Sequence, residues 1–162
     1  MNIIITAPKH LGKSTAVRKI IDILPCKISG FITEFVDRNS LDRALVLRSI
    51  DGTRRTNAVV WKSGSYEINH DAFDIFAPSL IDTDCDYVII DELGKFEKKS
   101  ENLKYAVNNA FDSPCHVVAS IRLDAAGWMQ ELKARDDVLL INLNEENRDS
   151  LPEYVVRKLG VR

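Results

Sequence analysis

Ile3-Ile4-Ile5-Thr6-Ala7-Pro8-Lys9-His10-Leu11-Gly12-Lys13-Ser14-Thr15 opens with three β-branched residues, passes through a loop and reaches a Gly-Lys-Ser tripeptide. Such a β-branched run reads as a strand buried on both faces, as strands of a parallel sheet are. From Ser14 to Leu24, Ala16, Val17, Ile20, Ile21 and Leu24 recur at helical spacing, and Pro25 stops the run. The order is therefore strand, loop, helix. The loop meets the spacing of G-x-x-x-x-G-K-[ST], the phosphate-binding P-loop, except that Ala7 stands where the first glycine belongs.

The chemistry of phosphate binding accounts for these residue types. Backbone N–H groups of the loop and of the helix N-terminus point at an anion, and the helix dipole favours negative charge there. Gly12 lets the backbone come close, Lys13 is a compact cation that reaches β- and γ-phosphates, and Ser14 can place its hydroxyl on Mg²⁺. Pro8 confines Ala7 to extended conformations. The nucleotide-binding candidates are thus Ala7, Pro8, Lys9, His10, Leu11, Gly12, Lys13, Ser14 and Thr15. The plainer alternative is a chance tripeptide at a helix N-cap, but the β-branched strand directly before the loop favours the phosphate reading.

Further along, Tyr87-Val88-Ile89-Ile90 is a second buried-strand run and ends in Asp91-Glu92. An apolar strand ending in an acid fits a Walker B element. Asp91 is the candidate metal ligand alongside Ser14. Strand alternation turns Glu92 to the other side, where a carboxylate can act as general base on an attacking water. An apolar strand capped by solvated acids is the alternative, and it loses weight only because the P-loop is present too.

The rest of the chain alternates apolar strands and helices. Strands are expected at Ser29–Val36, Cys115–Ile121 and Val138–Leu143. Helices are expected at Asp71–Ile81 (bent near Pro78), at Glu101–Phe111 and at Asp124–Ala134 with Asp124 as N-cap. A last helix is expected to begin at a Ser150-Leu151-Pro152-Glu153 capping box and to end at Gly160. Ala44–Ile50 and Thr56–Trp61 flank Asp51-Gly52, the signature of a hairpin, expected here as a partly exposed ribbon. Strand–helix alternation with one inserted β-hairpin means an α/β fold, a mostly parallel central sheet with helices on both faces. No linker or repeat interrupts residues 1–162, so one domain is expected.

Composition narrows the function classes. The 162 residues are 45% hydrophobic and 28% charged, which excludes an intrinsically disordered or low-complexity chain. Twenty-two Lys plus Arg against 24 Asp plus Glu give a net charge of −2, which argues against a general nucleic-acid binder. Cys26, Cys85 and Cys115 are widely spaced and lack partners at metal-ligand spacing, so reduced, structural thiols are expected. Neither a secretory signal nor a membrane-span-length apolar run is present. A soluble, cytoplasmic monomer is the expectation, with no membrane and no nucleic acid among its partners.

Four stretches carry a family resemblance: Ile3 to Thr15, Gly30-Phe31-Ile32-Thr33-Glu34, Val88 through Asp91-Glu92-Leu93-Gly94-Lys95-Phe96-Glu97, and Glu146-Asn147-Arg148-Asp149. Together they resemble the small nucleoside-triphosphatase family first described in thermophiles, which has a cancer-related relative. The match runs nearly the whole chain in order, and Asp-Glu-Leu-Gly-Lys-Phe-Glu is its most specific part. The resemblance implies a RecA-like P-loop NTPase fold. It also implies slow, Mg²⁺-dependent hydrolysis of ATP, GTP and other nucleoside triphosphates to diphosphate and phosphate, with loose base choice. The loop departs from the family's glycine-rich version at Ala7 and at Lys9-His10-Leu11.

Several residues stand beside this core. Lys95 follows the acid pair and can neutralise charge in the transition state, as a third catalytic candidate with Lys13 and Glu92; a solvated loop lysine is the alternative. Arg148 can stack on the nucleobase, or be a surface residue. Ser120 and Arg122 lie at a strand end, where the ligand crevice of an open α/β sheet opens. Glu34 can touch metal or water, or simply end a strand. His10 is read as solvent-facing and Trp61 as packed in the ribbon. Two other functions share the donor site: a nucleotide or nucleoside kinase, which needs an acceptor pocket, and a nucleotide-sensing switch with a weakened loop.

Overall fold

The computed structural model describes every residue except Lys9, Cys26, Asp82, Thr83 and Arg162. The β-branched opening forms β1 (Asn2–Ala7), buried along its whole length, and the apolar period after the loop forms α1 (Lys13–Ile23). There follow β2 (Ile28–Val36), β3 (Arg43–Ser49), β4 (Arg55–Lys62) and β5 (Ser65–Ile68). Next come α2 (His70–Phe76), β6 (Tyr87–Leu93), α3 (Glu101–Asp112) and β7 (His116–Arg122). The chain closes with α4 (Trp128–Lys133), β8 (Val138–Asn142) and α5 (Leu151–Lys158).

The eight strands form a mixed sheet in the order β5-β4-β3-β2-β6-β7-β1-β8. Neighbours from β2 to β8 run parallel, and β3, β4 and β5 extend the sheet antiparallel beyond β2. The parallel strands are linked through helices, α1 between β1 and β2, α3 between β6 and β7 and α4 between β7 and β8, whereas β2 to β5 follow one another through short connections.

Each face of the sheet has its own apolar layer. On one, Ile3, Ile5, Ile89 and Val118 pack under α1 and α5. On the other, Ile4, Val88, Ile90, Val117 and Ala119 pack under α2, α3 and α4, with Phe31, Phe73, Phe76 and Phe111 filling the layer. Burying one such side chain contributes roughly 1.5–3 kcal/mol. Strand alternation thus assigns the residues of β1, of β7 and of β6 as far as Asp91 to one helix layer or the other. Gly30 has a local reason of its own: a Cβ there would lie 1.9 Å from the carbonyl oxygen of Ile89 on β6.

The structure departs from expectation in several places. The Asp51-Gly52 turn is present, with the Asp51 carboxylate accepting from the Ser49 hydroxyl and from the Thr53 N–H and hydroxyl. The ribbon it joins is antiparallel and partly exposed as expected, with Arg55, Asn57 and Lys62 facing solvent, but Leu45, Val46, Leu47, Ala58 and Val59 are buried and continue the core. β5 was not foreseen, because four residues with three exposed give no pattern. The helix expected from Asp71 breaks at Phe76 into a 3₁₀ turn, Ala77–Leu80, around Pro78. The helix expected from Asp124 starts at Trp128, because Gly127 at φ +70° sets its N-cap and Asp124 is bonded to Arg122 instead. Ser150 does occupy an N-cap position, but its hydroxyl donates to the Asn147 carbonyl rather than capping α5. Cys85 and Cys115, distant in sequence, lie with sulfurs 3.4 Å apart and no disulfide between them. Among the described residues no helix is long and apolar enough to cross a membrane.

Candidate active site

The parallel strands all end on one edge of the sheet, and the polar residues that interrupt their apolar runs converge there. Asp91 belongs to the face of β6 that carries Tyr87 and Ile89, the α1 face. Its carboxylate is fully buried and accepts four hydrogen bonds. Ser14 Oγ donates to Oδ1 at 3.2 Å and Ser120 Oγ at 2.9 Å; Thr33 donates to Oδ2 through its N–H at 3.2 Å and its hydroxyl at 3.1 Å. Burial pushes the carboxyl of Asp91 above its ordinary value, and the hydrogen bonds from Thr33, Ser120 and Ser14 oppose that.

Glu92 does not follow strand alternation. The β6–β7 register shifts between Ile90 and Leu93, and both of these residues pack in the α2–α3 layer. Two same-facing residues three apart mean one inserted residue, a β-bulge, so Asp91 and Glu92 both lie on the opposite side. The expectation that alternation would separate them is thereby corrected. Glu92 carries the turn itself at φ +62°, a conformation costing of order 1–3 kcal/mol in a residue with a side chain. Its N–H donates to Ser120 Oγ at 2.8 Å, so one hydroxyl fixes both acids. Burial, and then the charge of Asp91, hold the Glu92 carboxyl above its ordinary value; Lys13, Arg122 and Arg38 pull it back.

In the phosphate loop, Ala7 ends β1 paired with Arg122, and its methyl is buried. The described non-glycine residues with left-handed φ are His10, Asp37, Ser63 and Glu92, so Ala7 has no backbone conformation that asks for glycine. Gly12 does: it caps α1 at φ +90°. The buried Lys13 ammonium donates to the carbonyls of Ala7 at 3.3 Å and Pro8 at 3.5 Å. Burial lowers its pKa, Glu92 raises it, and Arg122 lowers it again.

The remaining candidates are scattered. His10 is exposed, its Nδ1 3.2 Å from the Arg38 guanidinium. Leu11 packs on the α1–α5 layer, Pro8 and Thr15 are exposed, and Lys9 lies outside the described residues. Glu34 is paired with Arg48 at 3.2 Å and Arg18 at 3.8 Å, which fits a strand residue rather than a ligand. Arg148 is exposed beside Asp149, in a turn closed by Asn144 and Asn147. Lys95 is engaged on aromatic rings: its ammonium lies 4.7 Å over Phe96 and 5.0 Å over Tyr66, rings that cluster with Trp61. The donors Thr33 and Ser120 were not foreseen as partners of Asp91. The available signal was a lone polar residue within a buried apolar strand, since an unpaired hydroxyl there is costly.

Comparison with known proteins supplies the family. A protein-family model described as NTPase matches residues 2–156. The chain belongs to this NTPase family. Among its relatives is the nucleoside-triphosphatase THEP1 of Thermotoga sp. strain RQ2, 32% identical over 98% of this chain and 95% of that protein. The human cancer-related nucleoside-triphosphatase is 25% identical over 96% of this chain and 94% of its own. The crystal structure of THEP1 from Aquifex aeolicus superposes with a TM-score of 0.84 at 30% identity, covering 98% of this chain and 99% of that one. The solution structure of the human NTPase gives 0.80 at 24% identity, a likeness of fold.

The donor set fits a magnesium ion. Ser14 Oγ and Asp91 Oδ1 are hard oxygen donors 3.2 Å apart. Two ligands at right angles on Mg²⁺, each about 2.0–2.1 Å from it, would be about 2.9 Å apart. Among the described residues no group of three or more His, Cys, Asp or Glu is placed to hold a metal. Few protein ligands beside substrate phosphates is how Mg²⁺ is generally held at nucleotide sites.

Proposed function

We propose that the chain is a Mg²⁺-dependent nucleoside triphosphatase that converts several nucleoside 5′-triphosphates to the diphosphate and phosphate. The observation that carries this reading is the bulge at Glu92, which puts two acids of different character on the Lys13 side of the sheet. Asp91, saturated with hydrogen bonds and buried, suits a fixed ligand. Glu92, held by one backbone hydrogen bond and partly open, suits a group that must meet water.

Lys13 and the backbone of the Ala7–Ser14 loop bind the phosphates, and Lys13 sets down its carbonyl partners to do so. Ser14 and Asp91 would hold the magnesium ion, which supplies charge neutralisation at the β- and γ-phosphates. Glu92 orients a water molecule and takes its proton as the water oxygen bonds to the γ-phosphorus. The bond from that phosphorus to the bridging oxygen breaks, and its electron pair leaves with the diphosphate. A carboxyl held above the ordinary range is a better base than a free one. Breadth of base choice is carried over from relatives described as nucleoside-triphosphatases, with no base singled out.

The test is phosphate release from ATP, GTP, CTP and UTP, with and without Mg²⁺, beside Lys13→Ala. Release from several triphosphates, dependent on Mg²⁺ and reduced about 10³-fold or more in the variant, is expected. Release only when a nucleoside or nucleoside monophosphate is added, with the phosphate found on that acceptor, would overturn the reading in favour of a kinase.

A further inference from the structure

Phosphoryl transfer needs a cation beside the terminal phosphate as charge spreads over its oxygens. Lys95 was the expected candidate, but its ammonium is engaged on two aromatic rings. Arg148 is exposed, with Asp149 as its ion-pair partner. Arg122 is placed differently.

Arg122 is the last residue of β7 and pairs directly with Ala7, where the phosphate loop begins. Along β7, Val118 packs in the α1–α5 layer and Ser120 touches Asp91. Alternation puts Arg122 on that same face, one step further out toward the loop. Its guanidinium forms a two-toothed pair with Asp124, Nε to Oδ1 at 2.9 Å and Nη2 to Oδ2 at 2.7 Å. Ala7, Pro8, Arg122, Leu123 and Asp124 wall a cavity of about 280 Å³. The Arg122 charge is felt at both Lys13 and Glu92, so it stands among the groups that would surround the terminal phosphate.

A slot holds the side chain in place. A Cβ on Gly94 would lie 2.6 Å from Arg122 Cδ, so any side chain at 94 would push the arginine stem out of this position. The Gly94 N–H in turn donates to the buried carboxyl of Glu97 at 2.8 Å. The Arg122 side chain is mostly covered and only the Asp124 half of the pair is open to water, so the carboxylate is the partner that a more highly charged anion can displace.

From this geometry we infer that Arg122 is the catalytic cation supplied within the same chain to the terminal phosphate, that Asp124 is its resting partner, and that Gly94 is the slot its stem lies in. The inference rests on the triphosphatase reading above. Arg122 moves no proton and forms no bond; it leaves Asp124 and donates to γ-phosphate oxygens while Glu92 takes the proton of the attacking water.

The test compares wild type with Arg122→Ala and Gly94→Ala in two readouts. The first is phosphate release from MgATP, the second the trapping of MgADP with aluminium fluoride, a mimic of the phosphoryl group in flight. Arg122→Ala is expected to lose about 10²–10³-fold in kcat and to fail to trap the mimic. Its affinity for MgADP alone should stay within about threefold, and added guanidinium ion should restore part of the rate. Gly94→Ala, which displaces the arginine without removing it, should lose about tenfold or more in kcat. Trapping by Arg122→Ala equal to that of wild type, or a loss of MgADP affinity as large as the loss of rate, overturns the inference while the triphosphatase reading stands. A wild type that neither releases phosphate nor traps the mimic overturns that reading itself.

Discussion

The parallel and antiparallel parts of the sheet end in different chemistry. At the parallel strand ends, Ser14, Thr33 and Ser120 all donate to the Asp91 carboxylate, and most of that network is out of water. At the antiparallel end, Phe35, Trp61, Tyr66 and Phe96 form a lip of rings with Arg38, Arg43 and Lys95 laid over them. Parallel strands all deliver their C-terminal ends to one edge, so side chains from β1, β2, β6 and β7 can meet. Antiparallel strands send alternate ends there, and what they contribute is surface packing. Fixed, desolvated dipoles suit catalysis; exposed rings and cations suit stability and solubility.

Ser120→Ala is the sharpest way to break the parallel side without touching a charge. It removes one donor to Asp91 and the hydroxyl oxygen that accepts from the Glu92 N–H at the bulge. A loss of about 10–100-fold in kcat is expected, since a misplacement of about 1 Å is enough for that. A cost of roughly 1–3 kcal/mol in denaturant unfolding should accompany it. Full activity in Ser120→Ala would mean that the bulge holds itself.

Glu97→Gln probes the loop behind the acids. Burial holds the Glu97 carboxyl up at about 7. The folded chain therefore keeps this proton where the unfolded chain, near 4.5, has lost it. Stability from this group is complete below about 4.5 and falls as pH rises towards 7, by ~3 kcal/mol in all. Glutamine keeps an oxygen for the Gly94 N–H and does not ionise. Unfolding curves at pH 5 and pH 8 should differ less in the variant than in wild type, with the variant the more stable at pH 8. Parallel pH profiles would show that Glu97 does not carry the effect.

Lys95→Ala is the smallest expected effect and sharpens the contrast from the antiparallel side. Its ring contacts are exposed and worth about 0.5–1 kcal/mol. Phosphate release should change by less than about threefold. A fall of a hundredfold would return Lys95 to the site.

How much of this could be read from the chain depends on how local each signal is. Residues 3 to 15 carry strand, loop and helix within one short window, and Asp91-Glu92 follows its own strand. The Asp91 donors are remote by comparison, Thr33 lying 58 residues away and Ser120 29, so only the fold reveals who their partner is. Alternation misplaces Glu92 because a bulge is a property of the β6–β7 pairing, not of β6. Asp124 looks like an N-cap until Arg122, two residues earlier, takes both its oxygens. Ala7 looks like a defect in a glycine pattern until its backbone proves to be ordinary strand.

The proposed division of labour between Asp91, which holds the metal, and Glu92, which meets the water, is tested most directly by Glu92→Gln. MgATP affinity, followed with a fluorescent nucleotide, and phosphate release should be measured on the same protein. Affinity within about threefold of wild type with kcat lowered by about 10² or more is the result expected of a lost general base. Hydrolysis at the wild-type rate, or a loss confined to affinity, would contradict it.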